Sequence, residues 1–197
     1  MRLASVIGFA NKLVAERVKA GDCVVDATVG NGTDTIHLAR LVGPRGIVFG
    51  FDIQQAAIDK TLRRFAAEPP GFGQLQLFCD SHGHMAARIP KPYHGRISAI
   101  MFNLGYLPGG DHSIVTAPRS TIEALAAALE LLKPGGVITI VLYTGHPGGK
   151  EEAKAVEAWA EQLPQAIYQA LLYRFINQKN APPYCIAIEK IKASNLL

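Results

Sequence analysis

Short apolar runs, each closed by a polar residue, recur along this chain and are separated by stretches of helical period. Leu3, Val6, Ile7, Ala10, Val14 and Val18 fall on one face of an N-terminal helix. Gly21-Asp22 then turns into a buried strand at Cys23-Val24-Val25, followed by a glycine-bearing turn and a helix to about Val42. Gly43-Pro44-Arg45-Gly46 stops that helix before a second buried strand at 47–51. Residues 54–67 read as a helix ending before Pro69-Pro70-Gly71, and 75–79 as a third strand. A short helix at 84–88 precedes a fourth strand at 97–102.

Residues 120–132 form the next predicted helix, with Ser120 or Thr121 near its N-cap and Lys133-Pro134-Gly135-Gly136 as its break. A fifth strand follows at 137–143, then a charged, exposed helix at 150–162. The tail differs: 168–176 and 184–191 read as two strands joined by the segment NQKNAPP, hence an antiparallel pair. Five strand–helix units followed by such a pair predict an α/β architecture with a mostly parallel sheet, and residues 1–197 read as one domain.

Composition narrows this only slightly. With 49% hydrophobic and 18% charged residues the chain is ordinary globular material. A net charge of +4 and a pI near 9.0 permit an anionic partner such as RNA without requiring one. Cys23, Cys79 and Cys185 lie in or beside apolar runs without CxxC spacing, which predicts buried, reduced thiols in a cytoplasmic protein and no zinc site. Arg2 followed by LASVIGFA faintly imitates a signal peptide, but the helical stripe continues through Val18, so the segment is expected to stay with the domain. The sequence contains no uncharged apolar run of about 20 residues, so no membrane span is predicted.

The chemistry concentrates in DATVGNGTDT, Asp26 to Thr35. A strand, a glycine turn and a helix N-terminus form a nucleotide-type cradle, where glycines admit close backbone approach. Asp52 closes the next apolar run, where a carboxylate can hold ribose hydroxyls. A dinucleotide site wants a third glycine, but Gly30-Asn31-Gly32 is followed by Thr33-Asp34-Thr35. Carboxylates at Asp26 and Asp34 suit an ammonium better than a pyrophosphate, so S-adenosylmethionine fits better than NAD. A helix-capping turn without any ligand is the plain alternative.

Ligands of open α/β sheets sit outside the carboxyl ends of the strands. Those ends carry Asp26, Asp52, Asp80 and Asn103 in succession. Asp26 and the glycine turn are assigned to the amino-acid end of the cofactor, and Asp52 with Ile53 and Gln54 to the ribose. Asp80, Ser81 and His82 are assigned to adenine, with a simple strand-end hydrogen bond as the alternative for His82. Asn103-Leu104-Gly105-Tyr106-Leu107-Pro108 resembles the Asn-Pro-Pro-Tyr motif of nitrogen methyltransferases, in which carbonyls accept from the amine and an aromatic ring packs on the base.

Taken together, DATVGNGTDT, FDIQ, FNLGYLPGGDHSI, YTGHPGGKEE and FINQKNAPPYCIAIEK resemble the small class I methyltransferases of the MnmM/YtqB-like rRNA methylase family, over nearly the whole length. The resemblance implies a Rossmann-like, seven-stranded, mostly parallel sheet with a C-terminal antiparallel pair and helices on both faces. It implies S-adenosylmethionine as cofactor, a homodimer, no metal, and tRNA as partner through its anticodon loop. The implied reaction methylates the aminomethyl group of 5-aminomethyl-2-thiouridine at the wobble position.

Cofactor contacts are then expected from Asp26, Thr28, Gly30, Asn31, Gly32, Asp34, Thr35, Asp52, Ile53, Gln54, Asp80, Ser81, His82, Asn103 and Leu104. Catalytic roles fall to Asn103, Tyr106 and Asp111, the last as a candidate proton acceptor. Substrate contacts fall to Tyr106, His146, Asn177, Asn180, Pro182 and Pro183. Ala181 departs from the family pattern, which carries an acid before the two prolines. The rival readings are an rRNA or small-molecule amine methyltransferase on the same fold, a non-catalytic RNA-binding protein, and lastly a dinucleotide oxidoreductase.

Overall fold

The computed structural model describes residues 3–105, 109 and 115–192. Seven strands form one sheet: β1 (Cys23–Asp26), β2 (Ile47–Asp52), β3 (Gln74–Cys79), β4 (Ile97–Leu104), β5 (Leu132–Leu142), β6 (Tyr168–Tyr173) and β7 (Tyr184–Lys190). Their order is 3-2-1-4-5-7-6. Strands 1 to 5 are parallel, whereas β7 runs antiparallel to both β5 and β6. This is the class I methyltransferase order that the resemblance implies. β4, in the middle, is buried on both faces at all but one of its positions, which explains its unbroken apolar run.

Among the described residues six α-helices flank the sheet: α1 (Val6–Arg17), α2 (Thr33–Val42), α3 (Gln55–Ala66), α4 (Met85–Arg88), α5 (Pro118–Leu131) and α6 (Gly149–Glu161). Val14 and Val18 pack with Leu38, Ala39 and Val42 on one face, with Phe65 of α3 against them. Met85, Leu125, Leu131 and Val156 pack with Phe49, Ile100 and Phe102 on the other. Gly50 keeps β2 close to its surroundings, because a Cβ there would lie 2.4 Å from Leu77 Cδ2.

Several local expectations change. α1 starts at Val6, capped by Ser5 Oγ accepting from the Gly8 amide at 3.1 Å, so Leu3 precedes the helix and is exposed. The buried stripe runs through Val6, Ala10, Val14 and the cap residue Val18, and Ile7 is exposed. α5 begins two residues early because Pro118, with no amide hydrogen to satisfy, suits its first turn. Ser120 and Thr121 are therefore not caps: Ser120 Oγ donates back to the Ala117 carbonyl, and Thr121 is drawn inward. β5 begins at Leu132, which pairs with Ile97, while Val137 pairs with Ala99, so Lys133-Pro134-Gly135-Gly136 bulges out of the ladder. β6 stops at Tyr173, and Cys79 is exposed.

Lys190, the last residue of β7, is buried beneath the end of α5 and donates to the Leu129 and Leu132 carbonyls at 3.0 Å each. A helix C-terminus leaves such carbonyls unpaired, and a cation there also meets the favourable end of the dipole. Lys190→Met keeps the aliphatic stem and removes the donor. It is expected to cost about 1–3 kcal/mol, measured as a lower urea midpoint; an unchanged midpoint would show that water replaces the ammonium.

Candidate functional site

Four strand ends converge on a cavity of about 490 Å³ at the carboxyl edge of the sheet. Asp26 ends β1 but stands behind the wall. It is fully buried, accepts from Thr35 Oγ1 at 2.6 Å and from the Thr28 amide at 3.1 Å, and does not line the cavity. Burial, reinforced by Asp34 and Asp52, pushes its carboxyl up to about 7. Asp34 lies in the first turn of α2 and lines the cavity; burial raises its pKa too, against the opposing hydrogen bond from Asn103.

Asp52 ties the turn to the end of β2. One carboxylate oxygen accepts from the Gly30 amide at 2.8 Å and the other from the Gln54 amide at 2.9 Å. Each oxygen keeps a further lone pair for a ligand hydroxyl. From α3, Lys60 Nζ donates to Asn31 Oδ1 at 2.6 Å, and Arg64 donates to the Asn31 carbonyl. Gly32 has φ +77°, and a Cβ there would lie 2.5 Å from Thr61 Oγ1, so the turn requires glycine both for conformation and for space.

At the third strand end, Asp80 is already engaged. Its Oδ1 accepts from the Ser81 amide and His84 Nδ1, both at 2.8 Å, and its Oδ2 pairs with Arg88 Nε at 2.9 Å. The His84 hydrogen bond leads in holding the Asp80 carboxyl below its usual range. His82 is buried, its Nδ1 lies 3.2 Å from the Ala27 carbonyl, and burial lowers its pKa. Because a carbonyl only accepts, the proton sits on Nδ1 and leaves Nε2 of a neutral ring as an acceptor.

Asn103 joins the halves of the site. Its amide hydrogen goes to Thr28 Oγ1 at 2.7 Å, and its side-chain Nδ2 donates to Asp34 Oδ2 at 2.7 Å. The acceptor Asp34 fixes the flip of the amide, turning Oδ1 away from the carboxylate. Tyr143, just past β5, lines the same cavity and has its phenol pKa raised by burial and then by Asp34.

The expected residues Thr28, Gly30, Asn31, Asp34, Asp52, Ile53, Gln54, Asp80, Ser81, His82, Asn103 and His146 all line the cavity. Asp26, Gly32, Thr35 and Leu104 do not: Asp26, Thr35 and Leu104 are buried behind the wall, and Gly32 lies against Thr61 of α3. Tyr106 and Asp111 lie outside the described residues. In the hairpin it is Ala181 that reaches this cavity, while Pro182 lines a neighbouring one and Asn177, Asn180 and Pro183 line neither. Tyr143, Thr116 and Ser120 also line it and were not singled out. For Tyr143 the signal was present, a polar residue closing a fifth apolar run; for Thr116 there was none.

Glu152 is the largest local departure from expectation. In a helix read as exposed it is buried and accepts from Thr116 Oγ1 and Thr121 Oγ1 at 2.6 Å each. The Thr116 amide in turn donates to the Gly105 carbonyl at 3.0 Å, so Thr116 links Glu152 of α6 to the residue after β4. Two hydroxyls left unpaired are expected to cost Glu152→Ala about 2–4 kcal/mol of stability. Glu152→Gln keeps one acceptor oxygen and should lose less. Chemical unfolding of both variants checks this; equal losses would assign the effect to packing alone.

Among the described residues no cluster of three or more His, Cys, Asp or Glu side chains is placed to hold a metal, and no helix is long and apolar enough to cross a membrane. Residues 48–189 match the family described as "Putative rRNA methylase". A chloroplastic tRNA (mnm(5)s(2)U34)-methyltransferase of Arabidopsis thaliana is 40% identical over 172 residues, which are 84% of this chain and 62% of the plant protein. This chain thus spans about three fifths of that relative's length. The crystal structure of a putative rRNA methylase from Clostridium thermocellum is 43% identical and superposes with a TM-score of 0.90, covering 97% of this chain and 100% of that one. A putative methyltransferase from Streptococcus mutans, solved in complex with SAH, is 32% identical with a TM-score of 0.83, covering 96% and 99%.

Proposed function

This chain belongs to the rRNA methylase family, and on that premise we propose that it is an S-adenosylmethionine-dependent N-methyltransferase of RNA. Its acceptor is the aminomethyl group of 5-aminomethyl-2-thiouridine at the tRNA wobble position, presented by the anticodon loop. The protein works in the cytoplasm as a homodimer, each copy one catalytic domain over 1–197. Support for the acceptor comes from the name of the plant relative, and for the cofactor from the SAH-bound neighbour.

The donor set fits the cofactor. Asp34 at the cavity wall, with Asp26 behind it, offers carboxyl groups that suit the sulfonium and ammonium of this cofactor. Asp52 beside the Gly30 turn offers carboxylate oxygens for ribose hydroxyls, and His82 Nε2 offers an acceptor for an exocyclic amine. When bound, S-adenosylmethionine supplies an electrophilic methyl group on sulfur.

The observation that carries the reading is the fixed amide of Asn103. With Nδ2 committed to Asp34, Oδ1 is the atom available to accept from an incoming amine. An alkylamine of pKa near that of lysine is almost wholly ammonium at pH 7, and deprotonating it costs about 4 kcal/mol. Desolvation in the cavity lowers that cost, and Oδ1 orients the lone pair for in-line attack. Asp111 is the proposed proton acceptor. Relatives named for small-molecule substrates, such as the demethylmenaquinone methyltransferase of Lactobacillus johnsonii at 31% identity, are less similar to this chain than the plant tRNA enzyme, and a non-catalytic role leaves the Asp34–Asn103 arrangement without a purpose.

Asn103→Ala is expected to lower single-turnover methylation on the order of a hundredfold while cofactor affinity stays within a few-fold. Mass spectrometry of wobble nucleosides provides the product readout; a full rate in that variant would move the acceptor slot elsewhere. The raised pKa values of Asp26 and Asp34 give a second expectation. A cationic ligand favours the ionised carboxyls, so binding releases protons and affinity rises from about pH 6 to 8. Calorimetry in buffers of different ionisation heat tests this, and an affinity independent of pH would remove those carboxyls from the cationic end.

A further inference from the structure

A second cavity, of about 290 Å³, adjoins the first and shares Ala181 with it. Thr144, Arg174, Phe175, Gln178, Pro182 and Tyr184 line it, with Ile176 alongside. Its walls come from the loop after β5, the end of β6 and the start of β7, so the hairpin forms the partition between the two spaces. That partition is held in an uncommon conformation: Asn180 has φ +65° and Ala181 φ +46°, both in the left-handed region that non-glycine residues enter at a cost.

The lining has the chemistry of a nucleotide site. Arg174 supplies a permanent cation for a phosphate, while Glu157 stands beside the same wall, engaged by the Tyr184 hydroxyl. Phe175 is half-buried and edge-packed on Tyr173 at 5.7 Å, which steadies its ring for stacking. Gln178 and Thr144 bring both donors and acceptors for a base edge. Ile176, which is 91% exposed, adds an apolar side chain to this lining.

We propose that this cavity binds the RNA nucleotide next to the methylated one, with its phosphate on Arg174, its base against Phe175 and its base edge read by Gln178 and Thr144. The proposal rests on the RNA reading given above and extends it: the enzyme takes a dinucleotide step, one residue on each side of Ala181, and not an isolated nucleoside. The hairpin then separates two adjacent bases and thereby aligns the acceptor amine with the first cavity.

The test compares an anticodon stem-loop RNA carrying the aminomethyl group with the free modified nucleoside, using wild type, Arg174→Ala and Gln178→Ala. For Arg174→Ala the loss in kcat/KM is expected to be at least tenfold larger with the RNA than with the nucleoside, and to lie mainly in KM. The slope of log affinity against log salt, read by fluorescence anisotropy of the labelled RNA, should fall by about one. Gln178→Ala should show the same bias towards the RNA without the change in slope. Equal losses with both substrates, or an unaltered KM and salt slope for the RNA, would overturn the second site. Should wild type fail to methylate the RNA, the proposed reaction falls, yet a labelled trinucleotide whose binding depends on Arg174 would still support the cavity.

Discussion

Asp26 is the residue on which the site depends. It stands at the end of a central strand, without solvent, and spends its two oxygens on the turn above it: one on the Thr28 amide, the other on Thr35 in the first turn of α2. A buried carboxyl is tolerated only when its lone pairs are met. Those two bonds fix where the glycine turn leaves the strand and where the helix begins. Asp52 repeats the device from the neighbouring strand by accepting from Gly30. The turn is thus pinned on two sides before any ligand arrives, which is the preorganisation that cofactor binding requires.

From that anchor the order runs outward through polar contacts between segments distant in sequence. Thr28 receives the Asn103 amide, and Asp34 orients the Asn103 side chain. Glu152 performs the corresponding task at the far wall by holding Thr116 and Thr121. The same stretches that bury these groups also collect negative charge, and the cost appears as raised carboxyl pKa values at Asp26 and Asp34. Carboxyls buried at this cost suit the cationic ligand proposed above. Stability given up here is consistent with a binding function.

The central strands β1, β2, β4 and β5 were legible because burial on both faces demands unbroken apolar runs, and the four strand-end polar residues pointed to the edge that carries the cavity. The glycine turn was legible because only glycine meets the φ and the space at position 32. Helix limits were less so. Pro118 moved the start of α5 forward, and a bulge at Lys133-Pro134-Gly135-Gly136 let β5 begin before its apolar run. The α1 face was drawn too wide because Leu3 and Ile7 match the period but remain exposed.

Local pattern therefore determined the fold class, the sheet edge that carries chemistry and most residues of the cavity wall. Those properties follow from periodicity and turn geometry, which act over a few residues. Tertiary structure alone decided which side chains face the cavity and which stand behind it. Asp26 and Asp52 look equivalent as strand-end carboxylates, yet only Asp52 lines the cavity. Asp80 is tied up by His84 and Arg88, and Glu152, in a charged helical stretch, is buried against α5. Each of these outcomes depends on partners brought together by packing, and hydrogen-bond pairing between separate elements leaves no periodic trace in the chain.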